Sequence, residues 1–560
     1  MPSGRAPALT SRGQLLLATA GLLSLGGALS ASWMLAALGL VLITLVATAW
    51  IAFFPSAMLV WRRSVEMAWS VCGGLPADGA ASGPGLVSGR AFELRVTLRN
   101  RGPAPLGRVK VRVVASSAIT FDDRALEKQS CLVGAHSEAT LTALGRANSA
   151  GFLFLHGAAI EVIDRLGIAV LDAYFPSPLT LPVFPRSSLR VAPPRLLGQA
   201  RNSLHGLRMR GLGGELRELR DHAPGDPWKQ IAWRATARTG RLIVRDLERE
   251  TRVTHHLLVD LAGTMRDGKA GQNKLDHAVE LACAWARAAI DSGDRVGLIT
   301  YEGRIHLHLP AEGGPVARRA ITERLMEALT AVDEELTDVT DGELVALVAR
   351  YLRHQEGIDA RISRAPAIDD PNWSRNATGP GGELYDLELV KRAIEPVVES
   401  AIANAKKRRS ATATAVDVEM ARLRIYCRAR GIELLPNRAP MRGRRAHGLA
   451  LALERAARGQ GARQIVLLSD LEGLEEDLDA VARAVALARR RGHRLLCMVP
   501  SVPAPGVEGA AAEILGWAER RRAAAIRRRI ETLGIKVIPL AEGRSVAEGM
   551  ARLGGRRRGA

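Results

Sequence analysis

Two short apolar runs that each end on an aspartate constrain the fold of this chain more than any other feature. The first occupies residues 256–260 and ends on Asp260, and the second occupies residues 465–470 and ends on Asp470. Runs of this kind are typical of buried central strands in a parallel sheet. Ligands of open α/β sheets lie outside the carboxyl ends of the strands. Both aspartates are therefore predicted to lie where such a fold binds, although Asp260 alone could simply cap the following loop.

The residues around these runs alternate between helical and strand patterns. Strands are predicted over 296–301, 305–309, 494–499 and 535–540, and helices over 274–291, 316–331, 474–490 and 514–533. Such alternation favours a doubly wound parallel sheet. We therefore predict an α/β domain over 251–560, with Asp260 and Asp470 at one crevice.

The N-terminal part of the chain has no charged side chain between Arg12 and Arg62. This stretch is long enough for two membrane spans of about twenty residues each. We predict a transmembrane hairpin over 1–63, with spans at 14–29 and 33–54. A signal peptide is the alternative, but the second span follows closely and no clear cleavage stretch separates the two. Arginines flank both ends, which favours an integral protein of the inner or plasma membrane with the bulk of the chain in the cytoplasm.

The composition narrows the classes of partner. The formal net charge is +20, which suggests nucleic acid, an anionic membrane or an acidic partner. The arginines are scattered or lie on predicted helices without interleaved aromatics, so we expect no nucleic-acid binding. The five cysteines form no CxxC pair, which indicates reduced thiols rather than disulfides or a zinc site.

A β-rich module is predicted before the α/β domain. Residues 64–89 are interpreted as a linker, since 79–89 are small and flexible. Period-two alternation at 92–98 and 109–114, with further strands near 140, 152–155, 160–163 and 179–184, predicts a small antiparallel, Ig-like sandwich over 90–200. We expect it to act as a spacer or docking module.

The segment 201–250 combines a strong turn, residues 224–227, with Trp228 and Trp233 on either side of a short amphipathic piece. Arg234 and Arg238 are four residues apart and would share one helix face. In one interpretation the segment is a structural elbow, with packed tryptophans and solvated arginines. In the other it is a recognition face, with a buried aromatic anchor and arginines that bind carboxylates.

This segment resembles the signature of the bacterial domain-of-unknown-function family fifty-eight. The matching positions are Arg217, Glu218, His222, Pro224-Gly225-Asp226, Ile231-Ala232-Trp233 and Ala237-Arg238. The resemblance implies a membrane anchor, a von Willebrand factor A-like domain after the signature and a link to MoxR-type AAA+ ATPases. Residues 355–440 depart from the family pattern and are predicted to be a helical insertion, with helices over 384–405 and 415–430.

The resemblance also raises the question of a metal. In metal-binding von Willebrand A domains the first loop reads Asp-x-Ser-x-Ser, and Mg²⁺ is held by its hydroxyls with a threonine and an aspartate from other loops. Here Ala262 replaces the first hydroxyl and Thr264 retains the second, while Thr340 and Asp470 are candidates for the other two ligands. Oxygen ligands suit this hard cation. The implied site of Asp260, Thr264, Thr340 and Asp470 is thus a degenerate one of the MIDAS type, which holds Mg²⁺ with water in place of one ligand or holds none.

The function that we expect is a non-enzymatic, membrane-anchored adaptor that binds a MoxR-type ATPase, in assembly or maturation of other proteins, at the face carrying Asp260, Thr264 and Asp470. The signature residues expected to shape this face are Arg217, Asp226, Trp228, Trp233 and Arg238. The sequence leaves two alternatives open. One is a scaffold with no cation and no partner at this loop.

The other alternative is a Mg²⁺-dependent phosphohydrolase. The loop Asp-x-Ala-Gly-Thr from Asp260 also resembles the nucleophile loop of haloacid-dehalogenase hydrolases, in which Asp260 would attack phosphorus and Asp470 would hold the metal. Those enzymes lack the signature segment and usually begin near the nucleophile loop. No nucleophile–base pair is evident from the spacing, which favours binding over hydrolysis.

Overall fold

A computed structural model of the chain describes residues 3–4, 7–61, 64–72, 85–121, 130–186, 210–223, 226, 228–248, 253–362, 376–378, 380–407, 419–437, 444–459, 461–474, 477–500, 521 and 524–540. The chain forms two compact units. The first unit comprises Met1–Arg186, Arg266–Asp276 and Leu325–Ala439, and the second comprises Ser187–Met265, His277–Arg324 and Pro440–Ala560.

Helices and strands are numbered in chain order. The strands are β1 (Ser3–Gly4), β2 (Ala8–Leu9), β3 (Val65–Cys72), β4 (Leu86–Val87), β5 (Ala91–Asn100), β6 (Arg108–Ala115), β7 (Ile119–Phe121), β8 (Cys131–Leu132), β9 (Glu138–Ala147), β10 (Gly151–Ile163), β11 (Ala169–Phe184), β12 (Arg210–Asp221), β13 (Ile243–Glu248), β14 (Thr254–Asp260), β15 (Arg295–Tyr301), β16 (Ile305–Glu312), β17 (Asn376–Thr378), β18 (Leu384–Asp386), β19 (Arg463–Leu468), β20 (Arg494–Pro500) and β21 (Lys536–Leu540). The α-helices are α1 (Ser11–Leu29), α2 (Trp33–Trp61), α3 (Trp233–Thr239), α4 (Lys274–Asp291), α5 (Gly314–Ala328), α6 (Asp341–Tyr351), α7 (Leu387–Lys407), α8 (Glu419–Arg430), α9 (Arg444–Ala457) and α10 (Leu478–Arg490). Residues 524–532 are also helical.

The first unit begins with α1 and α2, which pack against each other across a turn at Ala31. They approach closely at Gly27, where a Cβ atom would lie 2.4 Å from the backbone nitrogen of Ala36. Residues Trp33–Phe54 of α2 are long and apolar enough to cross a membrane, and among the described residues α1 does not meet the same criterion. The predicted pair of spans is therefore one helix of spanning length packed against a shorter one.

The β-rich module of the first unit is an antiparallel sandwich. One sheet has the strand order β3-β5-β9-β7, and the other has the path β1-β11-β10-β6-β8, with β2 and β4 also pairing with β11. Alternate residues of β5 point into a core shared by both sheets, among them Phe92, Leu94 and Val96. Full burial of such side chains stabilises the fold by about 1.5–3 kcal/mol each, which explains why the period-two pattern predicted these strands.

Two details of the module differ from the prediction. The predicted linker over 64–89 contains β3, which pairs with β5 along its whole length and so belongs to the sandwich. The strands predicted at 152–155 and 160–163 are one strand, β10, with a register shift at Gly157. A Cβ atom at Gly157 would lie 2.3 Å from the hydroxyl of Tyr174, so the bulge depends on the missing side chain.

The helical insertion belongs to the first unit and is larger than predicted. Helices α7 and α8 lie where helices were expected, and α6, which precedes residue 355, shares their apolar core. This core packs against the sandwich. Glu433 accepts hydrogen bonds from the backbone nitrogen and hydroxyl of Ser117 at 3.0 and 2.9 Å, and Tyr351 lies edge-on to His156.

The second unit contains the predicted α/β sheet. Its strand order is β16-β15-β14-β19-β20-β21, with β16 antiparallel and the others parallel. Numbered along the chain this is the doubly wound order 3-2-1-4-5-6, whose switch point lies between its first and fourth strands. Those strands are β14 and β19, so the switch point lies at the carboxyl ends of the two runs that end on aspartate.

Helices cover both faces of this sheet. Trp285 on α4 donates a hydrogen bond of 3.2 Å to His255 on one face of β14. On the other face, Leu258 packs in a core with Leu449 and Leu453 of α9. The burial of α9 against β14 places its first turn beside the end of that strand.

Candidate functional site

The two strand-end aspartates lie close together, as predicted. Val259 pairs with Leu468 across the parallel strands β14 and β19, so the residues that follow them are neighbours. Asp260 is fully buried and Asp470 is 4% exposed. Between them, the hydroxyl of Ser469 donates a hydrogen bond of 2.7 Å to Asp260 Oδ2.

The guanidinium of Arg445, in the first turn of α9, joins the two carboxylates. Its Nε and Nη2 donate to Asp260 Oδ2 at 2.9 and 2.6 Å, and Nη2 also donates to Asp470 Oδ1. Its Nη1 donates to the hydroxyl of Thr264 at 3.2 Å and to the carbonyl of Glu472. A guanidinium has five N–H donors, and each of the five has an acceptor in this pocket. We call Asp260, Thr264, Arg445, Ser469 and Asp470 the strand-end cluster.

Backbone groups and a tyrosine complete the bonding of the acids. Asp260 Oδ1 accepts from the backbone nitrogen of Ala262 at 3.0 Å, and the Tyr301 hydroxyl donates to Oδ2 at 3.4 Å. Asp470 Oδ1 accepts from the backbone nitrogen of Glu472 at 3.2 Å. The loop between them bends through Leu471, whose φ of +65° is uncommon for a non-glycine residue. The cluster thus holds the loop after β19 in an unfavourable backbone conformation.

Burial and charge set the protonation of the groups around the cluster. Burial alone lowers the pKa of Arg445, but Asp260 and Asp470 more than offset this, so the pKa lies well above its usual range. Burial, reinforced by Asp260, raises the pKa of Tyr301 well above normal. The guanidinium therefore stays charged and the tyrosine hydroxyl stays protonated in this buried space.

Neither Arg445 nor the helix that carries it was predicted from the sequence. A cation in the first turn of a helix is unfavourable because of the helix dipole, so Arg445 is positioned by its acidic partners. A glycine lets α9 approach: a Cβ atom at Gly448 would lie 1.9 Å from the carbonyl oxygen of Glu302. An arginine at the start of the helix that leads into β19, followed by a glycine three residues later, was the available signal.

The residues do not fit a divalent ion alongside Arg445. Mg²⁺ needs oxygen ligands at about 2.0–2.1 Å in octahedral geometry, whereas the inward oxygens of Asp260 and Asp470 are bonded to the guanidinium. Within the described part of the chain, no group of three or more His, Cys, Asp or Glu residues could hold a metal ion. The expected Mg²⁺ site is thus filled by a side chain of the protein itself.

Thr340, the fourth expected ligand, is bonded within its own helix. It belongs to the first unit and caps α6: its hydroxyl accepts from the backbone nitrogen of Glu343 at 3.4 Å, and its own backbone nitrogen donates to the Glu343 carboxylate at 2.8 Å. This reciprocal capping satisfies two backbone donors of the helix start. The contacts of Thr340 therefore give it a structural role, and the inclusion of Thr340 among the metal ligands is corrected accordingly.

In the signature segment, Asp226 forms a two-pronged ion pair with Arg220, at 2.7 and 2.6 Å, and accepts from the backbone nitrogen of Ala223 at 2.8 Å. The Arg220 hydrogen bond, followed by that of Ala223, holds the pKa of Asp226 well below its usual range. Asp226 thus closes the turn instead of offering a carboxylate to a partner. Arg217 lies in β12, and its side chain, like Pro224, Gly225 and Pro227, lies outside the described residues.

The two tryptophans of the segment face outward. Trp228 is 70% exposed and Trp233 is 61% exposed, so the expected buried aromatic anchor is wrong for both. The interior of this region is formed instead by Ile231, which bridges to the fully buried Val244. Arg238, on the same helix as Trp233, is exposed as well. The structure thus gives the segment an aromatic and basic surface, which we call the signature surface: Trp228, Lys229, Trp233, Arg234 and Arg238.

Comparison with solved structures gives only weak similarity. The chain aligns with a Salmonella alpha-2-macroglobulin mutant at 11% identity and a TM-score of 0.17, covering 87% of this chain and 27% of that one. It aligns with a GH20 exo beta-N-acetylglucosaminidase from Vibrio harveyi at 10% identity and a TM-score of 0.15, covering 85% and 81%. Neither carries an argument about fold or function.

Curated relatives include uncharacterized proteins of Mycobacterium tuberculosis and Mycobacterium bovis. Each is 32% identical over 182 residues, which is 32% of this chain and 56% of the relative. The chain thus spans about half the length of the curated relatives that it matches. Residues 218–347, which include most of the signature segment and the loop after β14, match the family described as "Protein of unknown function DUF58".

Proposed function

We propose that this protein is a membrane-anchored adaptor, without catalytic activity of its own, whose von Willebrand A-like second unit binds a MoxR-type AAA+ ATPase. The observation that carries the proposal is the signature surface, where two tryptophans are exposed among basic side chains. The surface differs from the one expected, because the acids of the strand-end cluster are buried and bonded within the protein.

The shape of the signature surface suits protein recognition. On α3, Trp233, Arg234, Ala237 and Arg238 are all exposed. At 3.6 residues per turn, these four positions form one continuous outward stripe. Tryptophan and arginine are the residues that contribute most to binding energy in protein interfaces. Large exposed apolar side chains grouped in this way are typical of interaction sites.

The charge of this surface supports a partner of opposite charge. From Trp228 to Arg245 the sequence has five basic residues and no acidic one. They are Lys229, Arg234, Arg238, Arg241 and Arg245. Arginine forks bind carboxylates with two parallel hydrogen bonds, so the complementary surface is acidic with apolar positions that receive the tryptophans. We propose that the ATPase presents this acidic surface.

The strand-end cluster supports binding over hydrolysis. A nucleophilic carboxylate must reach the phosphorus atom of its substrate. Asp260 is fully buried, and both of its oxygens accept hydrogen bonds from the protein. A role for Asp260 in holding the loops after β14 and β19 accounts for these contacts without a substrate.

The N-terminal helices support a membrane anchor. Many of their large apolar side chains are exposed, including Leu15, Leu22, Leu25, Leu29, Trp33, Met34, Leu38, Leu40, Val41 and Ile51. A signal sequence has the same length and composition. However, Phe53 of α2 is buried in the core of the sandwich, and Val46 and Ala49 pack against Ile168. A helix built into the folded unit in this way favours a retained anchor, with the bulk of the chain in the cytoplasm as its flanking arginines indicate.

The proposal is tested by measuring the affinity of the full-length protein, in detergent, for a purified MoxR-type ATPase of the same organism. The double variant Trp228→Ala/Trp233→Ala should bind at least about thirtyfold more weakly, since aromatic hot spots contribute about 2 kcal/mol or more. Val316→Ala and Arg490→Glu are matched controls, because both residues are exposed in the same unit, and both variants should bind normally. Equal affinity of the double variant and the wild type would overturn the proposal.

A further inference from the structure

The strand-end cluster has the ligand chemistry of a cation site, but the cation is a side chain. Four side-chain oxygens surround the guanidinium of Arg445: those of Asp260 at 2.6 Å, Thr264 at 3.2 Å and Ser469 at 3.5 Å, and that of Asp470. The carbonyl oxygen of Glu472 is a fifth. Oxygen-only sets with two carboxylates are typical of hard divalent cations.

We propose that Arg445 is the resident cation of this site, so that the native protein binds no divalent metal there, and that loss of the guanidinium uncovers a site for Mg²⁺ or Mn²⁺ formed by Asp260, Thr264, Ser469 and Asp470. This inference does not depend on the identity of the partner. It concerns how the carboxyl ends of β14 and β19 are held together.

The charges of the cluster require a cation between the two aspartates. With Arg445 in place, two buried negative charges face one buried positive charge. Without it, two carboxylates that both bond to the same donor would face each other in a buried space. Leaving buried charges uncompensated is strongly unfavourable. The vacated space would therefore favour a small divalent cation, which restores the charge balance.

The hydrogen bonds of Arg445 indicate that it holds the protein together and does not bind an external ligand. All five N–H donors of Arg445 are used within the protein, and its side chain is only 7% exposed. An arginine that binds an external ligand keeps donors available for it. Arg445 instead connects the start of α9 to two loops, the loop after β14 through Thr264 and the loop after β19 through Glu472. A lysine has three donors on one nitrogen and cannot span these acceptors.

The test is Mn²⁺ binding to the full-length protein in detergent, measured by electron paramagnetic resonance, with the thermal unfolding temperature recorded in parallel. The wild type should bind no Mn²⁺ saturably at this site, and EDTA should leave its unfolding temperature unchanged. Arg445→Gln should unfold at a lower temperature, bind one Mn²⁺ per chain and regain stability as Mn²⁺ is added. Arg445→Gln/Asp260→Asn should lose both the binding and the recovery.

Arg424→Gln is the matched control. Arg424 is as buried as Arg445 but donates to the carbonyl of Val332 and the hydroxyl of Thr337. This variant should also lose stability, but it should gain no Mn²⁺ binding. Saturable Mn²⁺ binding by the wild type that is lost in Asp260→Asn would overturn the proposal, whether or not the Arg445 variant folds. A folded Arg445→Gln protein that binds no Mn²⁺ would overturn the latent site. Failure of the partner experiment above would leave both outcomes unaffected.

Discussion

The strand-end cluster buries charged residues, whereas the signature surface exposes tryptophans, and both placements are unusual. In the cluster, two aspartates and an arginine are buried and bonded to one another. On the signature surface, two tryptophans are exposed. Charged groups are seldom buried unless paired, and a large exposed apolar surface usually has a partner. The difference teaches that in this protein the acids of the cluster are bonded within the fold, whereas the aromatics lie at the surface.

Removal of an acid from the cluster should have the largest effect. Asp260→Ala leaves the buried guanidinium of Arg445 with fewer acceptors, and breaking a buried ion pair in this way costs about 3–5 kcal/mol. Chemical denaturation should therefore show a large loss of stability. Trp233→Ala is the control, because exposed substitutions usually change stability by less than about 0.5 kcal/mol. If the two variants were equally stable, the contrast between the regions would fail.

The two ends of β14 offer the next test, through pH. At the end opposite Asp260, burial, followed by the nearby guanidinium of Arg463, lowers the pKa of His256 from 6.5 to about 4. Between these values the unfolded chain binds a proton that the folded chain does not, so stability is complete above about pH 6.5 and is lost as the pH falls toward 4. The loss attributable to His256 is at most about 3 kcal/mol.

His256→Leu should reduce this acid sensitivity, as measured by the unfolding midpoint between pH 7 and pH 4. The guanidinium of Arg445 should add nothing in the same range, because its pKa lies well above it. If the unfolding midpoint of His256→Leu fell with pH as steeply as that of the wild type, His256 would not be the source of the acid sensitivity.

The exposed tryptophans should act on binding alone. Trp228→Ala and Trp233→Ala should each weaken binding to the ATPase by about 2 kcal/mol while the unfolding midpoint stays near the wild-type value. Isothermal titration of the full-length protein measures the first quantity and thermal unfolding the second. A tryptophan variant that lost stability but kept its affinity would indicate a packing role.

The smallest effect concerns Asp226, the partly exposed acid of the signature segment that pairs with Arg220. Arg220 and the backbone of Ala223 hold the pKa of Asp226 below its usual value, so its contribution is present above the unfolded pKa and is lost as the pH falls through the folded one. Asp226→Asn should lower stability slightly at neutral pH and make no difference in strong acid. A loss of partner affinity larger than the loss of stability would instead show that Asp226 contacts the partner.

Local patterns predicted most of the fold, because the spacing of apolar residues over a short stretch indicates whether it forms a strand or a helix. The sandwich strand β5, the run ending on Asp260 and the helices of the insertion were all visible in this way. Only part of the strand-end cluster could be predicted from the sequence. Its two aspartates end apolar runs, but Arg445 lies 185 residues from Asp260, and one arginine among 78 basic residues has no local mark of burial. The expected metal site was therefore assigned to the acids without the cation that accompanies them.

In the signature segment, the sequence did not predict which side chains are buried. Its turn and its helical pair of arginines were readable from spacing, but the direction of each tryptophan was not. Both interpretations of the segment placed the tryptophans in contact with other groups, either packed in an elbow or as a buried anchor. In the structure Ile231, Ala232 and Val244 are the buried apolar residues of this region, and both rings lie outside. Packing between β13 and the turn decides which apolar residue is buried. The spacing of apolar residues over so short a segment does not predict that choice.

The most direct test measures affinity for the ATPase and thermal stability on the same preparations of Trp233→Ala and Asp470→Asn, with the affinity expressed per folded molecule. We expect Trp233→Ala to lose affinity and keep its stability, and Asp470→Asn to lose stability and keep the affinity of its folded fraction. If folded Asp470→Asn fails to bind while Trp233→Ala binds normally, the strand-end acids form the recognition site and the exposed tryptophans do not.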